Sequence, residues 1–232
     1  MNAMILAAGR GTRLGELGQA TPKALVEVDG EPLLNRQIRY LKDDGVQRIV
    51  INAHHLADQI EDFVAAHPCS ADIEVVFEPQ LLGTAGGVRN ALTQLGEEAF
   101  VVLYGDVIVD ESLTAVSETH RRTKASATLT LYETDQVEGK GTVQIGPDGV
   151  VEAFREKATR SIEGQAYVNA GLYVVEPSLL SQLPADVPLD FGHDVFPGAL
   201  TQGMTVAAHI LARPVIDIGT PSALQLARSR RR

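Results

Sequence analysis

The sequence has little of three things: cysteine, net positive charge and long apolar runs. Cys69 is the only cysteine in 232 residues, which excludes an intrachain disulfide and a metal site built from several thiolates. The formal net charge of −10 argues against bulk binding to nucleic acid or to an anionic membrane surface. No apolar run is long enough to span a bilayer, and no charged leader precedes the first apolar stretch. We therefore expect a cytoplasmic protein without nucleic-acid or membrane partners.

Apolar runs that alternate with amphipathic stretches predict an α/β fold. Buried strands are predicted at residues 3–7, 48–52, 73–77 and 100–104, with helical periodicity between them. Strands that alternate with helices imply right-handed crossovers and a mostly parallel sheet covered on both faces. After residue 126 the pattern changes, and Pro147-Asp148-Gly149 predicts a β-hairpin in a smaller antiparallel part. No linker or repeat divides the chain, so we expect one structural domain.

The first apolar strand runs directly into a loop that contains two glycines. The loop is not a Walker A motif, because no Gly-Lys-Ser/Thr closes it, and Leu14 stands where a dinucleotide fingerprint needs its third glycine. Gly9 and Gly11 would let backbone N–H groups surround phosphate oxygens, while Arg13 and Lys23 would supply countercharge. A purely structural glycine turn is the alternative. The two cations favour a loop that holds a polyphosphate.

Two aspartates are candidates for a magnesium site. Asp106 follows the strand at residues 100–104, and ligands of open parallel sheets bind at the carboxyl ends of strands. Asp217 lies inside the apolar run 215–218, where a carboxylate is costly unless it is paired or bound to a metal. Asp106 taken alone could simply cap a turn. Together the two carboxylates could share one Mg²⁺ with the oxygens of a triphosphate.

A second group of polar residues lies in the later half of the chain. Glu156 and Lys157 follow the hairpin, and such a pair is more often a solvated surface feature. Asn169 stands in an apolar strand, where its amide needs hydrogen-bonding partners, and Gly171 suggests that another group approaches the backbone closely. A ligand rich in hydroxyl groups would satisfy both residues.

Together these residues resemble the sugar-1-phosphate nucleotidylyltransferases, also called nucleoside-diphosphate-sugar pyrophosphorylases, over nearly the whole chain. The segment 6–14 with Pro22-Lys23 matches the family signature, and residues 82–87 resemble its base- and ribose-contacting turn. The resemblance implies a three-layer, Rossmann-like nucleotidyltransferase fold with a mostly parallel central sheet and a small antiparallel sugar-binding lobe. The single domain, 1–232, would bind nucleotide through about 1–125 and sugar phosphate through about 126–232. Self-association is left open.

The resemblance also implies a cofactor, two substrates and the residues that bind them. The substrates would be a nucleoside triphosphate and a sugar 1-phosphate, and the cofactor would be Mg²⁺ held by Asp106 and Asp217. The catalytic residues would be Arg13, Lys23, Asp106, Lys157 and Asp217. The nucleotide would contact Leu6, Ala7, Ala8, Gly9, Gly11, Thr12, Arg13, Lys23, Gly83, Thr84 and Asp106. The sugar phosphate would contact Gly141, Glu156, Lys157, Asn169 and Gly171.

The substrate pair follows from shorter resemblances. Residues 78–86 are similar to the mannose-1-phosphate guanylyltransferases, and stretches of the later half are similar to the D-glycero-D-manno-heptose-1-phosphate guanylyltransferases. We therefore expect GTP with mannose 1-phosphate or manno-heptose 1-phosphate. Residues 51–52 and 59–63 instead resemble the N-acetylmuramate-1-phosphate uridylyltransferases, so an enzyme using UTP, dTTP or CTP is the alternative.

Two alternative functions lie outside the sugar-1-phosphate nucleotidylyltransferases. A phosphocholine-type cytidylyltransferase would share the glycine loop and the metal aspartates but would not need Asn169 and Gly171. A sensor without catalytic activity would be expected to have lost Arg13, Lys23 or an aspartate, and all are present.

Overall fold

The computed structural model describes residues 1–137, 140–155 and 166–229, and its strands alternate with helices as the apolar pattern predicts. Glu156 and Lys157 lie outside the described residues. The strands are β1 (Ala3–Leu6), β2 (Glu27–Val28), β3 (Glu31–Pro32), β4 (Ile49–Ala53), β5 (Ile73–Phe77), β6 (Phe100–Tyr104), β7 (Val107–Ile108), β8 (Ala127–Thr134), β9 (Thr142–Ile145), β10 (Val151–Arg155), β11 (Ala166–Val175), β12 (Val206–Ile210) and β13 (Ile216–Asp217).

The helices are mostly short. They are α1 (Glu16–Ala20), α2 (Leu33–Asp43), α3 (Ala57–Ala65), α4 (Gly83–Asn90), α5 (Leu92–Leu95), α6 (Leu113–Thr123), α7 (Pro177–Ser181), α8 (Phe196–Thr201) and α9 (Pro221–Ser229). Single 3-10 turns occur at Thr12–Leu14, Lys23–Leu25 and Ser70–Asp72, and a π-helical turn at Phe191–Val195 leads into α8. None of the helices in the described part of the chain is long and apolar enough to cross a membrane.

Nine strands form the main sheet, in the order β10-β9-β11-β6-β1-β4-β5, with β8 on the other edge of β11 and β12 beside β8. Seven of these nine strands run in one direction, and only β10 and β11 oppose them. The prediction of a mostly parallel sheet is therefore confirmed for the described residues. The predicted hairpin is also present, as β9 and β10.

The sheet is the middle of three layers. Side chains of the central strands alternate between two apolar clusters, so that Met4 faces one cluster while Ala3 and Ile5 face the other. The first cluster includes Val88 of α4 and the second includes Ile38 of α2. Because both faces are covered, the central strands are continuous apolar runs without polar alternation.

Strand β11 joins the two predicted parts of the chain. Its last four residues pair with β6, while Tyr167 and Val168 pair with β9 on the same edge, and β8 occupies the opposite edge. The register with β8 shifts between Asn169 and Tyr173, and Gly171 inside this bulge has a φ of +76° that favours glycine. The bulge lies where β11 passes from one neighbour to the other.

The carboxyl ends of three parallel strands meet at one edge of the sheet. Leu6 at the end of β1 lies beside Asn52 of β4 and Tyr104 of β6. The small β7–β13 ribbon follows β6 at the same edge and pairs Asp217 with Val107. The segments that leave these strands therefore converge on a single cleft, as expected for an open parallel sheet.

Candidate active site

The glycine loop after β1 is held in shape by close backbone packing. Gly11 has a φ of +63° and caps the 3-10 turn that carries Arg13. A Cβ on Gly18 would lie 2.2 Å from the carbonyl oxygen of Gly11, so the loop closes on itself only because residue 18 has no side chain. The sequence did not predict α1, which contains Gly18. The closed loop directs the Arg13 side chain toward the cleft, where it lines both cavities described below.

Lys23 joins the two predicted metal aspartates. It begins the 3-10 turn after Pro22, and its ammonium forms an ion pair with Asp106. The distance from Lys23 Nζ to Asp217 Oδ1 is 3.9 Å, and the Lys23 side chain is only 13% exposed. The two carboxylates therefore converge on one cation, although 111 residues separate them in the sequence.

Gly219 makes this convergence possible. An ideal Cβ on Gly219 would lie 2.7 Å from Asp217 Oδ1 and 2.9 Å from both Arg13 Nη2 and Lys23 Nζ. Since real Cβ contacts are almost never this short, the three charged groups can gather at this point only around a glycine. The backbone N–H of Gly219 also donates to Asp217 Oδ1 and fixes the orientation of that carboxylate.

The surroundings of Asp217 differ from those that the sequence predicted. Its strand has only two residues and its side chain is 55% exposed, so the argument from a carboxylate inside a buried strand was wrong. The chain leaves β13 at the mouth of the cleft, and this is why the side chain meets solvent. Partial desolvation in the cleft and the negative charge of Asp106 nevertheless raise the pKa of Asp217, against the opposing effect of Lys23. A cation beside the two carboxylates would relieve this repulsion.

A cavity of about 440 Å³ extends from the glycine loop to the start of α4. All eleven residues that the resemblance assigned to nucleotide binding line it: Leu6, Ala7, Ala8, Gly9, Gly11, Thr12, Arg13, Lys23, Gly83, Thr84 and Asp106. The cavity is of the size that small-molecule and cofactor sites usually have. We call it the loop cavity.

Residues 83–87 form the first turn of α4 rather than a turn that precedes a helix. Gly83 has a φ of +73°, and a Cβ there would lie 2.5 Å from the carbonyl oxygen of Leu189. That oxygen accepts hydrogen bonds from Ala85 N and Gly86 N, and Leu189 N donates to Leu82 O. Three N-terminal backbone groups of α4 are therefore satisfied by a distant segment, which could not be read from the glycine-rich sequence.

A second cavity of about 580 Å³ adjoins the loop cavity. Three of the residues predicted to contact sugar phosphate, Gly141, Asn169 and Gly171, line it. Both cavities share Arg13, Tyr104, Asp106 and Asp190, and Asp217 lines only the second. We call it the lobe cavity.

Lys140 was missed as a cation of the lobe cavity. Its ammonium lies 5.3 Å from the centre of the Tyr132 ring, and both residues line the cavity. The sequence suggested Lys157 instead because that residue matches a family pattern.

A buried polar network that was not predicted from the sequence also lines the loop cavity. Glu78 and Asn52 are 1% and 2% exposed, and Asn52 Nδ2 donates to Glu78 Oε1 at 2.7 Å. Asn52 Oδ1 accepts from Ala7 N at 2.8 Å, and Glu78 Oε2 accepts from Leu82 N at 3.1 Å. A Cβ on Gly87 would lie 2.5 Å from Glu78 Oε1, so Gly87 gives the carboxylate room. A polar residue inside the apolar β4 run was the signal that could have identified Asn52.

Comparison with known proteins agrees with this geometry. The Nucleotidyl transferase family matches residues 2–230. The UTP–glucose-1-phosphate uridylyltransferase of Synechocystis is 30% identical over 94% of this chain, which spans 60% of that protein's length. The D-glycero-alpha-D-manno-heptose 1-phosphate guanylyltransferase of Aneurinibacillus thermoaerophilus is 29% identical over 95% of this chain and 94% of its own length.

A solved structure is similar over nearly its entire length. HddC from Yersinia pseudotuberculosis, crystallised in complex with GMP-PN, has a TM-score of 0.84 and 29% identity, and the match covers 98% of this chain and 97% of that one. This chain therefore has the same fold as that solved structure. The protein belongs to the Nucleotidyl transferase family.

Proposed function

We propose that the protein is a sugar-1-phosphate nucleotidylyltransferase, which joins a nucleoside triphosphate to a sugar 1-phosphate and releases pyrophosphate. The proposal is based on the contact between the loop cavity and the lobe cavity. The loop cavity and the lobe cavity meet at Arg13 and Asp106, so two substrates bound side by side would bring their reacting phosphates to these residues.

The reaction needs positioning and charge neutralisation more than proton transfer. An oxygen of the sugar phosphate attacks the α-phosphorus of the triphosphate, the bond from that phosphorus to the bridging β-phosphate oxygen breaks, and pyrophosphate leaves. A phosphate monoester has a second pKa near 6, so the nucleophile is largely ionised at neutral pH and requires no general base. Arg13 and Lys23 would hold the triphosphate in line, and the amides of the glycine loop would surround its oxygens.

Asp106 and Asp217 would hold Mg²⁺. The residues fit this role, because both carboxylates converge on the Lys23 ammonium and Gly219 leaves the space between the charged groups free of a Cβ. When bound, the ion would neutralise charge on the phosphate oxygens. Lys23 would then shift from the carboxylates toward the triphosphate.

The Glu78 carboxylate supports GTP as the nucleotide. It lines the loop cavity, and among the described residues Asn52 Nδ2 and Leu82 N donate to two of its four acceptor positions. A carboxylate can only accept hydrogen bonds, and guanine alone presents two adjacent donors, N1–H and the N2 amino group, on one edge. Uracil and thymine present a single donor between two acceptors. The heptose 1-phosphate guanylyltransferase among the relatives supports a manno-configured sugar 1-phosphate.

A substrate matrix tests the proposed function. The purified protein is incubated with each of GTP, UTP, dTTP and CTP against mannose, manno-heptose, glucose and N-acetylmuramate 1-phosphates, and pyrophosphate release is measured. We expect release with GTP and a manno-configured sugar, and loss of release when EDTA removes Mg²⁺. Absence of pyrophosphate release with every pair would contradict the proposal. Release with UTP alone would show that the nucleotide substrate is UTP and not GTP.

Substitution of Glu78 tests how the base is chosen. In Glu78→Gln an amide N–H replaces one acceptor, so we expect kcat/KM for GTP to fall about 10- to 100-fold and the preference to move toward UTP, because a well-placed hydrogen-bonding site discriminates strongly. Glu74→Gln is the matched control, since Glu74 lies on β5 with its side chain exposed beside Arg48. An unchanged GTP-to-UTP ratio in Glu78→Gln would show that this carboxylate does not read the base.

A further inference from the structure

Gln37 is a buried polar residue on the apolar face of helix α2. Its neighbours on that face are Leu33, Leu34, Ile38 and Leu41, which are fully buried, and Gln37 itself is only 3% exposed. Gln37 lines neither the loop cavity nor the lobe cavity. A polar side chain at such a position needs partners within the protein, because burial removes the water that would otherwise form hydrogen bonds with it.

The side-chain amide of Gln37 finds its partners on the backbone around Asp106. Nε2 donates to the carbonyl oxygen of Tyr104 at 2.8 Å and to that of Val107 at 2.9 Å. Since a carbonyl oxygen can only accept, the amide must turn its NH₂ group toward both of them. The two carbonyls flank Gly105 and Asp106, the turn between β6 and β7. The two hydrogens of one side chain therefore hold both ends of this turn.

The same turn has two other anchors. Gly105 N donates to the carbonyl oxygen of Leu6 at 2.9 Å, and the carbonyl oxygen of Asp106 accepts from Ile218 N at 2.9 Å. The side chain of Asp106 lines both cavities. The backbone that carries this carboxylate is thus fixed by β1, by the segment after β13 and by α2, and Gln37 is the contribution of α2.

Gln37 also acts on Asp217, through the β7–β13 ribbon. Val107 is the register partner of Asp217, and each strand of the ribbon has only two residues. So short a ribbon has few contacts of its own to fix its place, and the bond from Gln37 to the Val107 carbonyl adds one. Both carboxylates converge on the Lys23 ammonium, which shows how closely the turn and the ribbon must be placed.

We propose that Gln37 is a positioning residue that sets the separation of the Asp106 and Asp217 carboxylates from behind the turn. The inference rests on the proposed function for the role of the two carboxylates in holding a divalent cation. A primary amide suits this place because it supplies two donors without charge, whereas a lysine or an arginine would put another cation beside Asp106.

A role in packing alone explains Gln37 less well. Its Oε1 is buried and has no hydrogen-bond partner among the described residues. An orphaned buried oxygen lowers stability, and an apolar side chain of the same length would avoid that loss. The two hydrogen bonds to the turn are what such a side chain would lack.

Gln37→Met tests the proposal, because methionine has a similar length but no donor. We expect kcat to fall at least tenfold and KM for the sugar 1-phosphate to change less than threefold, since the carboxylates shift while the lobe cavity keeps its walls. Leu41→Ala is the matched control, because it disturbs the same buried face of α2 and lines neither cavity. It should lower the melting temperature and change kcat less than twofold. An unchanged kcat in Gln37→Met, or an equal loss in Leu41→Ala, would overturn the proposal.

Gln37→Glu separates hydrogen bonding from packing, and it decides the matter if Gln37→Met fails to fold. Glutamate has the shape of glutamine but cannot supply both hydrogens, so at least one carbonyl of the turn loses its donor. We expect kcat to fall at least tenfold in this variant as well. Activity equal to that of the unsubstituted protein would mean that the shape of residue 37 is sufficient.

Two further measurements need no turnover. Mn²⁺ without nucleotide is the probe of the carboxylates, and its dissociation constant from electron paramagnetic resonance should rise at least fivefold in Gln37→Met and less than twofold in Leu41→Ala. The backbone amide signal of Gly219, whose N–H donates to Asp217 Oδ1, should shift in Gln37→Met and stay in place in Leu41→Ala. This signal requires neither metal nor substrate, so it distinguishes failure of the inference from failure of the proposed function. An unshifted Gly219 signal in Gln37→Met would overturn the inference.

Discussion

At the scale of single residues, Gly219 decides how closely the charged groups of the cleft can gather. Three of them, Arg13, Lys23 and Asp217, have an atom within 3 Å of the position that its Cβ would occupy. A methyl group there would push at least one of them outward. Displacement of a catalytic group by about 1 Å can lower activity by about 100-fold.

We therefore expect Gly219→Ala to lower kcat/KM by about 10- to 100-fold while the melting temperature changes little, since the cleft can open toward solvent. Steady-state kinetics and differential scanning fluorimetry measure the two effects. Gly198→Ala is the control, because a Cβ at that position in α8 would contact nothing within 4 Å and an alanine favours the helix. A Gly219→Ala protein with full activity would mean that the charged groups need not lie so close together.

Residues within one local motif could be predicted from the sequence, and residues that depend on distant partners could not. The glycine loop with Arg13 and Lys23 has a recognisable local pattern, and both cations line the loop cavity. Glu78 resembles an ordinary surface carboxylate until the fold buries it against Asn52, 26 residues away. Asp190 gave no signal at all, because its partner Thr84 is 106 residues away.

At the scale of elements, the hairpin β2–β3 is anchored to α2 by an ion pair. Arg39 Nη1 and Nη2 bind Glu31 Oε2 and Oε1 at 2.9 and 2.8 Å, and Asn35 Nδ2 adds a third hydrogen bond to the same carboxylate. The hydrogen bond from Arg39 is the main cause that lowers the pKa of Glu31 to about 2, from 4.5. The lowered pKa means that the folded state prefers the ionised carboxylate.

We expect Glu31→Gln to lower the free energy of unfolding at pH 7 by about 1 kcal/mol, the upper end for an exposed ion pair. Since the folded pKa lies below the unfolded one, this contribution is complete above pH 4.5 and is lost as the pH falls toward 2. Urea unfolding at pH 7 and at pH 3 measures the difference, which should shrink at the lower pH. Glu74→Gln, whose carboxylate lies 4.0 Å from Arg48, should cost less than 0.5 kcal/mol at either pH. A Glu31→Gln difference that does not depend on pH would contradict the role of the charge.

The elements that were misread are those whose ends are set by tertiary contacts. The β9–β10 hairpin was predicted because Pro147-Asp148-Gly149 is a local turn pattern. Helix α4 begins earlier than the sequence indicated, since glycine disfavours helices and the backbone of Leu189 overrides that preference. The bulge at Gly171 likewise depends on which strands flank β11.

At the scale of the whole molecule, the first part of the chain, about residues 1–125, shares one sheet with the part that follows it. Strand β6 pairs with β1 on one edge and with β11 on the other, so a chain that ends at residue 125 would leave β6 as an open edge. Phe100 and Val102 would lose the cover of Tyr173 and Phe191, with which they share an apolar cluster. The general α/β arrangement was predictable because each element carries its own periodicity.

We therefore expect a fragment of residues 1–125 to lack a cooperative unfolding transition, and we expect the full chain to unfold cooperatively. Far-ultraviolet circular dichroism during urea titration measures both, and dye binding should report exposed apolar surface in the fragment. A sigmoidal transition with the urea dependence of a 125-residue domain would show instead that the first part folds alone.

The central place of β11 also bears on protein synthesis. A ribosome makes β11 about 70 residues after β6, which takes roughly 4 to 14 s at 5–20 residues per second. During that interval the apolar edge of β6 has no partner strand from its own chain, and an unpaired edge can bind another nascent chain. Codon choice and temperature, which set the length of this interval, should therefore influence how much of the protein reaches its folded form.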